Sequence, residues 1–192
     1  MNEFFRLPFS RVANSVIGSI LTMLLIFGGV TDVHAYDEKV RSSGDTGRRI
    51  VEVGQAYEPG SIIVSLTDRR LYHVLRRGRA VSYPVATPRR EDMWIGNEPV
   101  TRKQTDPPWR PTPTMLRENP RLPSYVPGGH RYKPMGARAL YLGNTYYRIH
   151  GTDAPWLIGQ NVSKGCIRMH NEDVIELFDR VRVGTRVSVV EE

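Results

Sequence analysis

Eleven of the 14 prolines of this chain lie between Pro84 and Pro134. Proline lacks a main-chain N–H and has a fixed φ, so within sheets it is confined to edges, strand starts and bulges, and it breaks a helix interior. The density predicts that no ladder-forming sheet runs through residues 84–134. They are expected to make a long excursion over one end of a sheet, with a helical turn near Thr114 to Glu118. Structureless connections longer than about 15 residues tend to be binding loops or lids when a compact domain carries one. A solvent-facing insertion without a role is the alternative.

Regular structure must therefore come from the flanks. Ile62 to Leu66, Leu71 to Leu75 and Ala80 to Val85 are short β-rich runs separated by polar, turn-forming tetrapeptides, and read as three strands joined by hairpins. Ala139 to Leu142 and Thr145 to Ile149 flank Gly143-Asn144, a two-residue turn, and that second hairpin ends at His150. One helix is predicted. Asn171 is the expected N-cap, Glu172 and Asp173 put negative charge in the first turn, and Val174, Leu177, Phe178 and Val181 follow helical spacing until Gly184. Val187 to Val190 makes a last strand. Many strands, one clear helix and no strand–helix alternation define a mostly β fold.

The chain has 192 residues, one domain's worth, with 27 Lys and Arg against 20 Asp and Glu. The formal charge of +7 draws it toward polyanions, which include lipid head groups and wall polymers bearing carboxylates. Nucleic acid is not expected as a partner. Arg69, Arg70, Arg76, Arg77 and Arg79 sit at hairpin tips and lack interleaved stacking aromatics. Arg6 and Arg11 precede an uncharged stretch from Val12 to Thr31, which closes on Val33-His34-Ala35. This is the pattern of a secretory signal over residues 1–35, cut after Ala35, and it implies an exported protein of the periplasm or cell wall. An uncleaved membrane anchor is the alternative, and the membrane is otherwise not expected as a partner. Residues 36–49 then form a flexible leader and 50–192 the folded domain.

The single cysteine, Cys166, excludes an intramolecular disulfide, a zinc knuckle and an iron–sulfur cluster. It lies just ahead of the expected helix, with Gly165 allowing an unusual φ and Lys164 and Arg168 supplying positive charge that would stabilise a thiolate. Efficient attack by a thiol of ordinary pKa needs a base or an electropositive site. Among the histidines, His34 belongs to the signal, His73 to a strand and His130 to the excursion. His150 ends a strand with 15 residues between it and Cys166, a connection long enough to fold back. His150, Cys166 and His170 lack a fourth metal ligand and are crowded by Lys164 and Arg168, so no metal is expected.

Ile149-His150-Gly151-Thr152, followed by Ser163-x-Gly165-Cys166-Ile167-Arg168-Met169-x-Asn171-x-Asp173 and Val183-Gly184-Thr185-x-Val187, resembles the YkuD-type L,D-transpeptidase catalytic domain. The resemblance runs upstream to the hairpins near Ile62. Lys164 stands where many members have a second histidine and Arg168 where many have asparagine. The resemblance implies a β-sandwich-like fold and no cofactor. It makes Cys166 the nucleophile and His150 the general base and acid, with Gly165, Ser163 and Gly151 supporting the oxyanion and the loop. Arg168, Lys164 and Trp156 are candidate substrate contacts, and Trp156 and Trp109 candidate cleft walls. The implied substrates are peptidoglycan tetrapeptide stems. The acyl acceptor is either an amine of a neighbouring stem or an outer-membrane protein or lipoprotein, and a carbapenem is expected to acylate the thiol. An L,D-carboxypeptidase or cysteine peptidase, in which water resolves the thioester, and a non-catalytic wall-binding module are the alternatives.

Overall fold

A computed structural model describes residues 47–191. The expected export signal at 1–35 and the leader as far as residue 46 lie outside the described residues. The first strand among the described residues is β1 (Arg49–Glu52), which takes in the last residue of the expected leader. The three expected strands are β2 (Ile62–Ser65), β3 (Arg70–Arg76) and β4 (Arg79–Pro88). They are followed by β5 (Gly96–Thr105) and helix α1 (Pro113–Glu118). Next come β6 (Arg138–Leu142), β7 (Arg148–His150), β8 (Asn161–Ser163) and β9 (Ile167–Met169). Helix α2 (Asn171–Arg180) and β10 (Arg186–Val190) complete the chain. The fold is mostly β, with one main helix. Among the described residues no helix is long and apolar enough to cross a membrane.

The strands run in the order β1-β4-β3-β2-β10-β5-β6-β7-β9, and β9 returns to pair with β4. The sheet thus curls back on itself, and its enclosed face holds the larger core with Ile62, Val64, Tyr83, Leu140, Ile149 and Ile167. Helix α2 covers one opening by burying Val174 and Leu177 in that core. A second cluster of Val53, Ile63, Tyr72, Val74 and Ala80 lies on the other face of β2-β3-β4. Burial on both faces explains why Ile62-Ile63-Val64 is a continuous apolar run, with no polar alternation.

The proline-rich stretch departs from expectation. It is not one excursion, because β4 runs on to Pro88 and β5 is a ten-residue strand containing Pro99. Both interior prolines sit where a strand changes partners. Pro84 follows the last β1 pair, Arg49↔Ser82, and precedes the β9 pair Val85↔Met169. Pro99 ends the pairing with β10 and precedes the pairing Val100↔Leu142 with β6. At such a junction the missing N–H removes no ladder bond that the next residue cannot supply, and the Val85 and Val100 N–H groups donate to the Arg69 and Thr185 carbonyls. The excursion proper is residues 106–137. It contains α1, capped by Thr112, whose hydroxyl accepts from the Met115 N–H at 3.3 Å.

Two local expectations also change. The β6–β7 connection is longer than Gly143-Asn144, since Thr145 Oγ1 donates to the Leu142 carbonyl and accepts from the Tyr147 N–H, which delays β7 to Arg148. His170, not Asn171, occupies the N-cap position of α2, and the Asn171 side chain is used elsewhere.

Candidate active site

Strands β7 and β9 are parallel neighbours in the register Ile149↔Ile167 and His150↔Arg168. Paired residues point to the same face. Ile149 and Ile167 are both fully buried in the core, so His150 and Arg168 share the opposite face. Cys166, two residues before Arg168, falls on that same face, level with Arg148. Two segments remote in sequence thus become diagonal neighbours on one face of adjacent strands, a separation that long side chains and rings can bridge. The sulfur itself contacts the Tyr146 carbonyl at 3.7 Å. Catalytic hydrogen bonds are commonly long before substrate is bound.

The imidazole is held from behind. His150 Nδ1 lies 2.5 Å from the Gly151 carbonyl, and the ring also donates to the Met135 main chain, both bonds favouring the protonated imidazole. Carbonyls only accept, so Nδ1 carries the proton and Nε2 keeps its lone pair for other chemistry. Asn171 braces this segment: its Oδ1 accepts from the Ala137 N–H at 2.9 Å and its Nδ2 donates to the Thr152 carbonyl at 2.8 Å. A Cβ on Gly151 would collide with Asn171 Oδ1, so glycine is required for this close approach. Asn171→Ala strands a buried donor and acceptor, and is expected to lower stability by about 2 kcal/mol, read as a fall in denaturant midpoint with unchanged m.

The loop carrying the thiol is pinned at three points. The buried Ser163 hydroxyl donates to the Cys166 carbonyl, so it serves the loop and does not face the cleft. Trp94 Nε1 donates to the Gly165 carbonyl at 2.8 Å while its ring stacks on Tyr147 at 4.4 Å between centroids. Gly165 has φ +105°, and a Cβ there would lie 2.5 Å from the Tyr147 ring, so this position demands glycine for both reasons. Lys164 pairs with Glu118 of α1, tying the excursion to the nucleophile loop. These contacts leave the Gly165 and Cys166 N–H groups without a loop acceptor among the described residues.

Electrostatics set both protonation states. Burial, then the Arg168 guanidinium, push the His150 imidazolium down to about 3, against the smaller opposing effect of its hydrogen bonds. Burial pushes the Cys166 thiol up, while Arg148 and Arg168 pull it back toward the thiolate. The pair therefore rests as neutral thiol and neutral imidazole. Close packing surrounds the sulfur, yet the residue as a whole is only half-buried and keeps a solvent-facing side. Arg168 Nε is buried without a protein acceptor. Trp156 is 72% exposed on the short turn 155–157, and Trp109 bridges to Val126 inside the excursion. His73 lies on β3, His130 contacts Tyr132, and among the described residues no group of three metal-ligating side chains forms.

Sequence reading missed Trp94, Tyr147 and Arg148, and misplaced Asn171. Trp94 lay in a stretch treated as loop and joins the site only through the closure of the sheet. Asn171 carried a signal in its place in the motif, but N-cap preference explained it equally well.

The chain matches the YkuD family model, L,D-transpeptidase catalytic domain, over residues 59–189. It is 41% identical over 143 residues to an Escherichia coli K12 protein described as probable L,D-transpeptidase ErfK/SrfK, an alignment taking in 68% of this chain and 44% of that one. The chain thus spans less than half the length of that curated relative. The crystal structure of L,D-transpeptidase 3 from Mycobacterium tuberculosis shares the fold with TM-score 0.56 at 16% identity, covering 68% of this chain and 60% of the other. A Brucella melitensis structure described as a probable carnitine operon oxidoreductase is 36% identical with TM-score 0.51, covering 79% of this chain and 98% of the other. With the family model matched across nearly the whole described fold, the chain belongs to the YkuD family of L,D-transpeptidase catalytic domains.

Proposed function

We propose that this chain is a peptidoglycan L,D-transpeptidase in which Cys166 is the nucleophile and His150 the general base and acid. The observation that carries the reading is the parallel pairing that sets half-buried Cys166, just ahead of β9, on the same face as a neutral imidazole on β7 whose Nδ1 proton is engaged by the Gly151 carbonyl. His150 Nε2 takes the thiol proton as sulfur attacks the carbonyl of the third stem residue, usually diaminopimelate. The C–N bond to D-alanine breaks, and the imidazolium returns the proton to the leaving amine. The Gly165 and Cys166 N–H groups face the developing oxyanion, the term that usually contributes most in acyl transfer. An acceptor amine, losing its proton to His150, attacks the thioester and releases the thiol. The acceptor is a neighbouring stem, giving a 3→3 crosslink, or an outer-membrane protein or lipoprotein.

Arg168, with a buried Nε lacking a protein acceptor beside His150, suits a substrate carboxylate. Lys164 is committed to Glu118 and serves to hold the loop. In this reading residues 1–35 are an export signal that delivers the domain to the periplasm, 36–48 are a leader, and the catalytic domain begins at β1 (Arg49–Glu52).

Intact-protein mass spectrometry with a purified tetrapeptide stem tests the reading. The expected result is a tripeptidyl adduct on Cys166 that disappears, with crosslinked product, when an amine is supplied. A carbapenem should add one equivalent to the same thiol. Free D-alanine with only shortened stems would make the chain a carboxypeptidase, and no adduct with stem or carbapenem would leave only wall binding.

A further inference from the structure

Arg148, Tyr141 and Arg102 form a row across three strands, in the register Arg102↔Tyr141 and Tyr141↔Arg148. Extended across β7 to the residue preceding β9, the same row ends at Cys166. The Tyr141 ring lies between the two guanidiniums, 3.5 Å from Arg102 Cζ and 4.9 Å from Arg148 Cζ. Its hydroxyl donates to Gln104 Oε1 at 3.0 Å, which also accepts from Arg102 Nη1 at 2.6 Å. The ring is thus anchored at its edge as well as through its faces. Arg148 Nη1 donates to the Tyr146 carbonyl at 2.8 Å, and that carbonyl is also the oxygen contacted by Cys166 Sγ at 3.7 Å. One acceptor therefore brings the guanidinium and the sulfur together.

We infer that Arg148 is a catalytic residue: its guanidinium, held on the Tyr141 ring beside the nucleophile, takes up the charge on sulfur when the proton leaves. The inference rests on the reading of Cys166 as nucleophile. In the resting state the thiol S–H donates to the Tyr146 carbonyl, a bond available only to the protonated form. After His150 Nε2 takes the proton, sulfur is an anion facing a carbonyl dipole, which repels it, and a guanidinium, which attracts it. Sulfur then turns from the carbonyl toward the cation and the cleft. No other bond is made or broken, and Arg148 stays protonated throughout.

The charged and titratable groups around the thiol are Arg148 and His150 from β7, Arg168 from β9 and Lys164 from the loop, the last already paired with Glu118 of α1. Arg168 pairs with His150 in the register, whereas Arg148 is level with the sulfur. Arg148 also acts on the thiolate first by charge, then by its main-chain N–H, and least by a side-chain hydrogen bond, whereas Arg168 acts by charge alone.

The test is the pH midpoint of Cys166 alkylation by iodoacetamide, which reports thiolate whether or not any stem is processed. Arg148→Gln is expected to raise the midpoint by about one unit and slow alkylation at pH 7 roughly tenfold, with Arg148→Lys recovering part of the loss. Arg76→Gln, which removes the same charge at the exposed end of β3 away from this row, should leave the midpoint in place. Should Arg148→Gln fail to fold, Tyr141→Leu, which releases the guanidinium without deleting it, should move the midpoint the same way. An unmoved midpoint in the folded variants, or an equal shift from Arg76→Gln, would overturn the inference. A chain that shows the expected shifts yet forms no acyl adduct would keep this role for Arg148 and lose the transferase reading.

Discussion

Cys166→Ala is expected to lower stem turnover by at least roughly 10⁴-fold, in line with removal of the nucleophile from other acyl-transfer sites. No second thiol exists in the chain to substitute for it. Cys166→Ser should not rescue activity, because a hydroxyl is a far weaker acid than a thiol and the neighbouring imidazole is held well below its ordinary basicity. Stability should move little, by less than about 1 kcal/mol, since the residue is only half-buried and its S–H bond to the Tyr146 carbonyl is long. Unchanged thermal unfolding together with lost adduct formation separates chemistry from folding. Turnover surviving in the alanine variant would end the proposal that this sulfur is the nucleophile.

His150→Gln should produce a loss of roughly 10²- to 10⁴-fold, the usual contribution of a positioned base, and a second effect on acid stability. The folded imidazole sits at about 3, below the ordinary value of 6.5. Above pH 6.5 neither state binds the proton, and the group contributes no pH dependence. As pH falls below 6.5 the unfolded chain takes up a proton that the folded chain refuses until about pH 3. Stability is therefore lost on acidification, at up to about 1.4 kcal/mol per pH unit across that window. His73, also held down by burial, contributes a slope of the same sign and remains in the variant. The decisive quantity is the difference between the two chains in unfolding free energy at pH 7 and pH 5. Wild type should lose more, and equal losses would mean that the His150 imidazole is not kept neutral by the fold.

How much of this was legible beforehand differs from element to element. The runs at Ile62, Leu71 and Ala80 were read correctly as strands because their apolar character is local. Helix α2 was read correctly because Val174 and Leu177 keep helical spacing, and the turn expected near Thr114 to Glu118 is α1. Strand β5 was not legible. Its proline argues against a sheet, and it is accommodated because two different partners meet at Pro99. The three-residue strands β8 and β9 carry too few positions to show any period.

For the site, the sequence alone determined the chemistry available: one thiol, a glycine before it, a histidine ending a strand, and an export-like segment ahead of them. Those are properties of residue type and immediate neighbours, and they survive any later folding. Only the tertiary structure decided which groups meet. The parallel pairing of β7 with β9 sets His150 and Cys166 on one face and brings Arg148 level with the sulfur, and sheet closure delivers Trp94 to Gly165. Register between strands distant in the chain is selected by burial of Ile149 against Ile167, a cooperative property of the whole core that no local stretch encodes.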